Sequence, residues 1–165
     1  SSLSNHRTFM KQTIFSIVFS IAAATVSPLS IQAQRPSERE RVTWMKEIQQ
    51  YKNDFLIKKL ALNDEQKASF LPLYNSMEEQ VRKVQEEAEQ LYQQTMRKGD
   101  KATDLEYEKA AEAAYELKGR ENEIEMKYFK DFKSILTPQQ LFKLKDAERD
   151  FTRQLMRQHR RQQKR

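Results

Sequence analysis

Side chains able to do chemistry are few in this sequence. His159 is the only histidine beyond position 6, and Met156 lies three residues before it. Transition-metal sites gather several His, Cys or carboxylate ligands at fixed spacings. No His-x-x-His or Glu-x-x-His occurs here, cysteine is absent, and Met45, Met77, Met96 and Met126 are scattered singly. Lone methionines at helical spacing are core filler. Glu86-Glu87 and the trio Glu121, Glu123 and Glu125 lie in stretches rich in lysine and arginine. They read as a solvated helix face laced with i,i+4 ion pairs rather than a catalytic carboxylate pair, which needs a walled pocket. With no glycine-rich phosphate loop and no histidine near a nucleophile, no catalytic residue, metal ligand or cofactor is assigned, and an enzyme is not expected.

Two other groups stand out. Arg153, Arg157, Arg160, Arg161, Lys164 and Arg165 form a basic tail beyond the last acid, Asp150. Such a tail attracts acidic clients, anionic lipid or an acidic partner at long range, an attraction that weakens as salt rises. The alternative is a solvated, frayed helix end. Nucleic acid is not expected, because no aromatic stacking platform accompanies the tail. The second group is a pair of pentapeptides, Leu62-Asn63-Asp64-Glu65-Gln66 and Leu136-Thr137-Pro138-Gln139-Gln140. In each, the residue after the leucine can accept from the backbone N–H three positions on, while the glutamine reaches back to close a capping box. Pro138 takes the first helical position, where its missing N–H costs nothing. Leu62, Asn63, Gln66, Leu136, Thr137 and Gln140 are thus read as satisfying backbone donors at two helix starts.

The elements that must carry these groups are helices. With two glycines and four prolines against 33% charged residues, turn-rich β structure is excluded. Nine Phe, six Tyr and one Trp can seed a core, which a disordered chain lacks. After Pro36-Ser37, the residues Trp44, Ile48, Tyr51, Phe55 and Leu62 recur on a helical period that breaks near Leu62-Asn63. A second helix is predicted from about Asp64 to Lys98, roughly 50 Å at 1.5 Å per residue. Phe70, Met77, Val84 and Leu91 form one heptad row of it, and Tyr74, Val81, Ala88 and Thr95 another. Pro72 lies in its third turn and should bend it, and Gly99 ends it behind Arg97 and Lys98. Thr103, with Glu106, opens a third helix whose rows are Ala110, Leu117, Ile124 and Tyr107, Ala114, Tyr128, Ile135, the latter interrupted by Glu121. A fourth follows Thr137 and carries Leu141, Leu144, Phe151 and Leu155 on one side.

The two halves match at an offset of 74 residues: Phe55 with Phe129, Leu62 with Leu136, Gln66 with Gln140, Phe70 with Leu144, Met77 with Phe151 and Val81 with Leu155. The coincidence of the caps with the apolar positions predicts two helix–turn–helix halves of similar geometry.

Ahead of them, Met10-Lys11 is followed by an uncharged apolar run from Ile14 to Val26 and by Pro28 to Gln34. This is the three-part layout of a secretory signal peptide, with cleavage expected after Ala33. The run is shorter than the ~20 residues a membrane span needs. Residues 1–9 read as an upstream extension, 10–33 as the signal and 34–165 as one domain. Loss of 1–33 removes two cations and no acid, taking the net charge from +6 to +4. Periplasmic export is the expectation, with stability resting on packing because there is no cysteine to cross-link.

Two LTxxQ-type motifs at helix junctions of a small exported helical chain resemble the Spy/CpxP (LTxxQ) family of periplasmic chaperones and stress sensors. The resemblance spans the whole of 34–165, with Asn63 in place of the motif's threonine and capping chemistry kept. It implies an all-α fold of four helices arranged as an elongated hairpin that pairs into a cradle-shaped homodimer. It also implies binding of unfolded envelope proteins without ATP. The alternative it carries is a stress sensor or regulator docking on the periplasmic domain of a membrane signalling protein, and a metal-binding sensor comes third.

Overall fold

The computed structural model describes residues 37–164. The expected signal (10–33), the stretch before it (1–9) and Arg165 lie outside the described residues. The fold is all-α, with four helices among the described residues: α1 (Glu38–Lys59), α2 (Asp64–Lys98), α3 (Asp104–Ile135) and α4 (Pro138–Gln163). A single 3-10 turn, Gly99–Lys101, joins α2 to α3, and no strand occurs among the described residues.

Every helix start is fixed by its own sequence. Ser37 and Glu40, Asn63 and Gln66, and Thr103 and Glu106 form reciprocal capping boxes at α1, α2 and α3. At α4 the Gln140 N–H donates to Thr137 Oγ1 at 3.2 Å, and the Thr137 N–H donates to Gln140 Oε1 at 2.9 Å. Each box supplies acceptors to backbone donors that would otherwise have only water. The helix ends differ in kind. Gly99, at φ +49°, turns the chain sharply out of α2, and its carbonyl accepts from the Tyr107 hydroxyl at 2.7 Å. Ala61 follows α1 at φ +50°, a left-handed position usually given to glycine.

Residues 62–144 make one compact unit and residues 37–61 with 145–164 another, so α4 contributes its first seven residues to the former and the rest to the latter. In the first unit α2 and α3 run antiparallel along one another. Phe70 meets Phe132, Gln80 meets Tyr128, Gln85 meets Glu121, and Lys98 meets Glu106. The core is aromatic at one end: Phe70 lies 4.9 Å from Phe132 and 5.3 Å from Tyr74, ring centre to ring centre. Both predicted rows of α2 face inward, with Phe70, Met77, Tyr74 and Thr95 buried and Val84, Leu91, Val81 and Ala88 half-buried. Helix α2 continues through Pro72, whose ring is exposed.

On α3 the row Ala110, Leu117, Ile124 faces inward, but the row expected beside it does not hold. Tyr107 and Ala114 are exposed, and only Tyr128 of that row is buried. A straight helix drifts by ~20° per heptad, so a strict seven-residue row rotates away from its partner over several turns.

In the second unit α1 packs against the later turns of α4. The Phe151 ring sits 5.4 Å from Tyr51 and 5.5 Å from Phe55, and Gln154 Nε2 donates to the Tyr51 hydroxyl at 3.0 Å. The face expected for α1 is displaced. Trp44, Ile48, Tyr51 and Phe55 are half-buried, while Leu56 is wholly buried and Asn53 nearly so. Large rings at the border of an apolar stripe keep their rims in water, whereas a leucine is small enough to be buried whole. Asn53 remains satisfied because its Oδ1 accepts from Gln49 Nε2 at 3.2 Å.

Candidate functional site

The two glutamines of the pentapeptides, 74 positions apart, meet face to face. Gln66 Nε2 donates to Gln140 Oε1 at 2.7 Å, and Gln140 Nε2 donates back to Gln66 Oε1 at 3.0 Å. Each oxygen also accepts from the backbone of its own cap, Asn63 N at 3.2 Å and Thr137 N at 2.9 Å. Gln66 Nε2 reaches the Ile135 carbonyl as well, at 3.3 Å, which ties the start of α2 to the end of α3. Leu62 and Leu136, which precede the caps, are both buried. All six motif residues therefore belong to one structural joint within residues 62–144.

This joint explains a choice of residue that capping alone leaves open. The boxes that stand by themselves, at Ser37 and Thr103, close with Glu40 and Glu106. The two that face each other close with glutamine. A primary amide donates and accepts at once, so two of them form a reciprocal pair. Two carboxylates at this separation would offer acceptors only and repel. The signal was visible as Gln in two boxes and Glu in the third recognisable one, Thr103–Glu106, but a single capping box does not reveal a partner across 74 residues.

At the other end of the α2–α3 pair, Glu106 is held below the usual carboxylate range. The largest cause is its hydrogen bond from Lys98, followed by the bond from the Thr103 N–H. This end also exposes apolar groups. Tyr92, Met96, Leu105 and Tyr107 all keep large solvent-facing surfaces near the turn.

A longer exposed stripe lies on α3. Tyr115 is 90% exposed, Met126 50% and Phe129 36%. With Gly119 and Asn122 between them they are spaced four, three, four and three residues apart, which places them on one face. That face lies opposite the Ala110, Leu117, Ile124 and Tyr128 face turned to α2. At Gly119 the stripe is open, since a Cβ there would meet nothing within 4 Å. Sequence periodicity does not single out this stripe, because a helical apolar period marks the face that packs.

The basic tail lies on α4. Arg153, Arg157, Arg160, Arg161 and Lys164 are all exposed. Arg153 pairs with Asp150 at 2.8 Å, whereas the structure brings none of the other four to a carboxylate among the described residues. The His159 ring shares a hydrogen bond with the Gln163 amide at 3.0 Å. Among the described residues no group of three or more His, Cys, Asp or Glu is arranged to hold a metal ion. No helix of the described residues is long and apolar enough to cross a membrane.

Comparison of the chain with protein-family models, with curated proteins and with solved structures finds no match.

Proposed function

We propose that this protein is an ATP-independent chaperone of the bacterial cell envelope, a holdase of the Spy/CpxP kind that binds unfolded or aggregation-prone proteins. The observation that carries the reading is the exposed row of Tyr115, Met126 and Phe129 on the outer face of α3. A helix packed on one side normally turns charge to water on the other. Here Tyr115, Met126 and Phe129 sit exposed among Lys118, Glu123 and Lys130, with the Lys133 ammonium 5.5 Å from the Phe129 ring centre. Apolar surface held open in this way marks an interaction site. Aromatic rings and a methionine adapt to varied partners, and the long charged chains beside them cover apolar surface with their stems. Many weak contacts of this sort suit clients that share no sequence. Residence in the periplasm follows from the signal-like segment, and pairing into a homodimer would extend the binding face; both are parts of the same proposal.

The test is aggregation suppression, with several unrelated unfolding proteins, no ATP, and the purified chain at near-stoichiometric ratios. Broad protection is expected. The variant carrying Tyr115→Ser, Met126→Ser and Phe129→Ser should stay folded at the assay temperature, with a modestly lowered melting temperature, and protect poorly. Tyr115→Ser alone, at a side chain 90% exposed, should melt like the parent and already weaken protection. Protection unchanged in the triple variant would overturn the assignment of the face. Protection of no client would overturn the chaperone and leave a stress regulator with one dedicated, saturable partner.

A further inference from the structure

We infer that the outward face of α4 over Arg153–Lys164 docks on an anionic phospholipid surface, independently of any client bound by α3. Arg153, Arg157, Arg160 and Lys164 are spaced four, three and four residues apart. At 100° per residue they fall within about 60° of one another, in a row about 16 Å long. Arg161 flanks the row. The direction of the row is fixed by packing on the opposite side, where Phe151 is buried against Tyr51 and Phe55. The cations are therefore carried on a docked helix and held away from α1.

Their charge is not consumed internally. No acid follows Asp150 in the sequence, and only Arg153 has a carboxylate beside it among the described residues. The carbonyl end of α4 contributes only about −0.5 charge, well short of five cations. The row also has an apolar flank, for Met156, 58% exposed, lies about 60° from it around the helix. A row of three guanidinium groups and one ammonium with one apolar neighbour fits a plane of phosphate headgroups. Arginine binds phosphate oxygens bidentately, and an exposed apolar side chain can enter the headgroup boundary. The row is the convex outer face of a single helix, with no strand edge to hold a peptide's backbone.

The experiment is vesicle co-sedimentation of the full chain, with phosphatidylcholine vesicles made with and without phosphatidylglycerol. The four-fold variant Arg157→Gln, Arg160→Gln, Arg161→Gln, Lys164→Gln is compared with a control of equal charge loss on α3, namely Lys109→Gln, Lys118→Gln, Lys127→Gln, Lys130→Gln. All proteins carry the same N-terminal segment, so any lipid affinity of its own is a common floor, read from the vesicles of phosphatidylcholine alone and subtracted. Binding should require the anionic lipid and weaken as salt rises. Each cation near such a surface is worth roughly fivefold, so the tail variant should lose on the order of hundreds-fold and the control far less. An equal loss in the control would reduce the effect to net charge and overturn the inference. Absence of any gain from phosphatidylglycerol would also overturn it. So would polyglutamate or inorganic phosphate binding as tightly as vesicles, since either would assign the row to a soluble anion.

Discussion

The amide pair at the joint can be tested by a double-mutant cycle with Gln66→Met, Gln140→Met and both together. Methionine keeps the length and volume of the side chain and removes its polar end. Gln140→Met deletes the two amide–amide bonds of 2.7 and 3.0 Å and the 2.9 Å bond from Thr137 N. At about 1 kcal/mol net per hydrogen bond, that is about 2–3 kcal/mol, and the stranded Gln66 amide adds to it because it is half-buried. Gln66→Met deletes the same two bonds, its 3.2 Å bond from Asn63 N and its 3.3 Å bond to the Ile135 carbonyl, for about 3–4 kcal/mol. The two mutual bonds are counted in both singles and can be lost only once. The double variant should therefore be less destabilised than the sum of the singles by about 2 kcal/mol. Urea unfolding followed by far-ultraviolet circular dichroism measures all four corners, with midpoint and slope fitted separately. Additivity within ~0.5 kcal/mol would mean that the two capping boxes act independently, and the reciprocal pair would then contribute nothing.

Three further outcomes are expected. Phe70→Ala removes a fully buried ring between Tyr74 and Phe132; it should destabilise by about 3–5 kcal/mol, and a loss under 1 kcal/mol in thermal unfolding would deny the aromatic cluster its role in the core. Ala61→Gly should stabilise, because alanine at φ +50° carries ~1–2 kcal/mol of backbone strain against the ~0.4–1 kcal/mol of unfolded-chain freedom that glycine adds; a lowered melting temperature would contradict this. For Glu106 the sign is set by its lowered folded-state pKa. Its contribution is complete above the ordinary glutamate range and is lost as pH falls through the depressed folded value. Melting temperatures of the parent and Glu106→Gln should therefore converge toward acid pH, and a gap that stays constant from neutral to strongly acidic buffer would count against it.

The parallel between the two halves is carried in part by burial. Leu62 and Leu136 are both buried, as are Phe70 with Leu144 and Met77 with Phe151, while Val81 and Leu155 are both half-buried. Phe55 and Phe129 depart from it, the first half-buried beside Phe151 and the second exposed. A repeat of apolar residues does not require a repeat of neighbours. Phe129 is thereby left on the outer stripe that the proposed function uses.

Helix identity and limits were legible in the residues themselves. The bounds of α2 at Asp64 and Lys98, the cap at Thr103 and the start of α4 at Pro138 agree with the structure. They could be read because a capping box, a helix-starting proline and a glycine beyond the last turn act within four residues, where chain connectivity guarantees the contact. The inward rows of α2 were legible for a similar reason, since period alone assigns residues to a face. Which faces are covered was not legible. Leu56 is wholly buried while the rings of α1 are only half-buried, and Tyr107 and Ala114 rotate out of their heptad row. The pairing of Gln66 with Gln140 was equally hidden, because a contact across 74 residues depends on where packing brings two helix starts. Local hydrogen bonds set where this chain turns, and only the tertiary structure decided which of its apolar and amide groups find partners and which remain open to water.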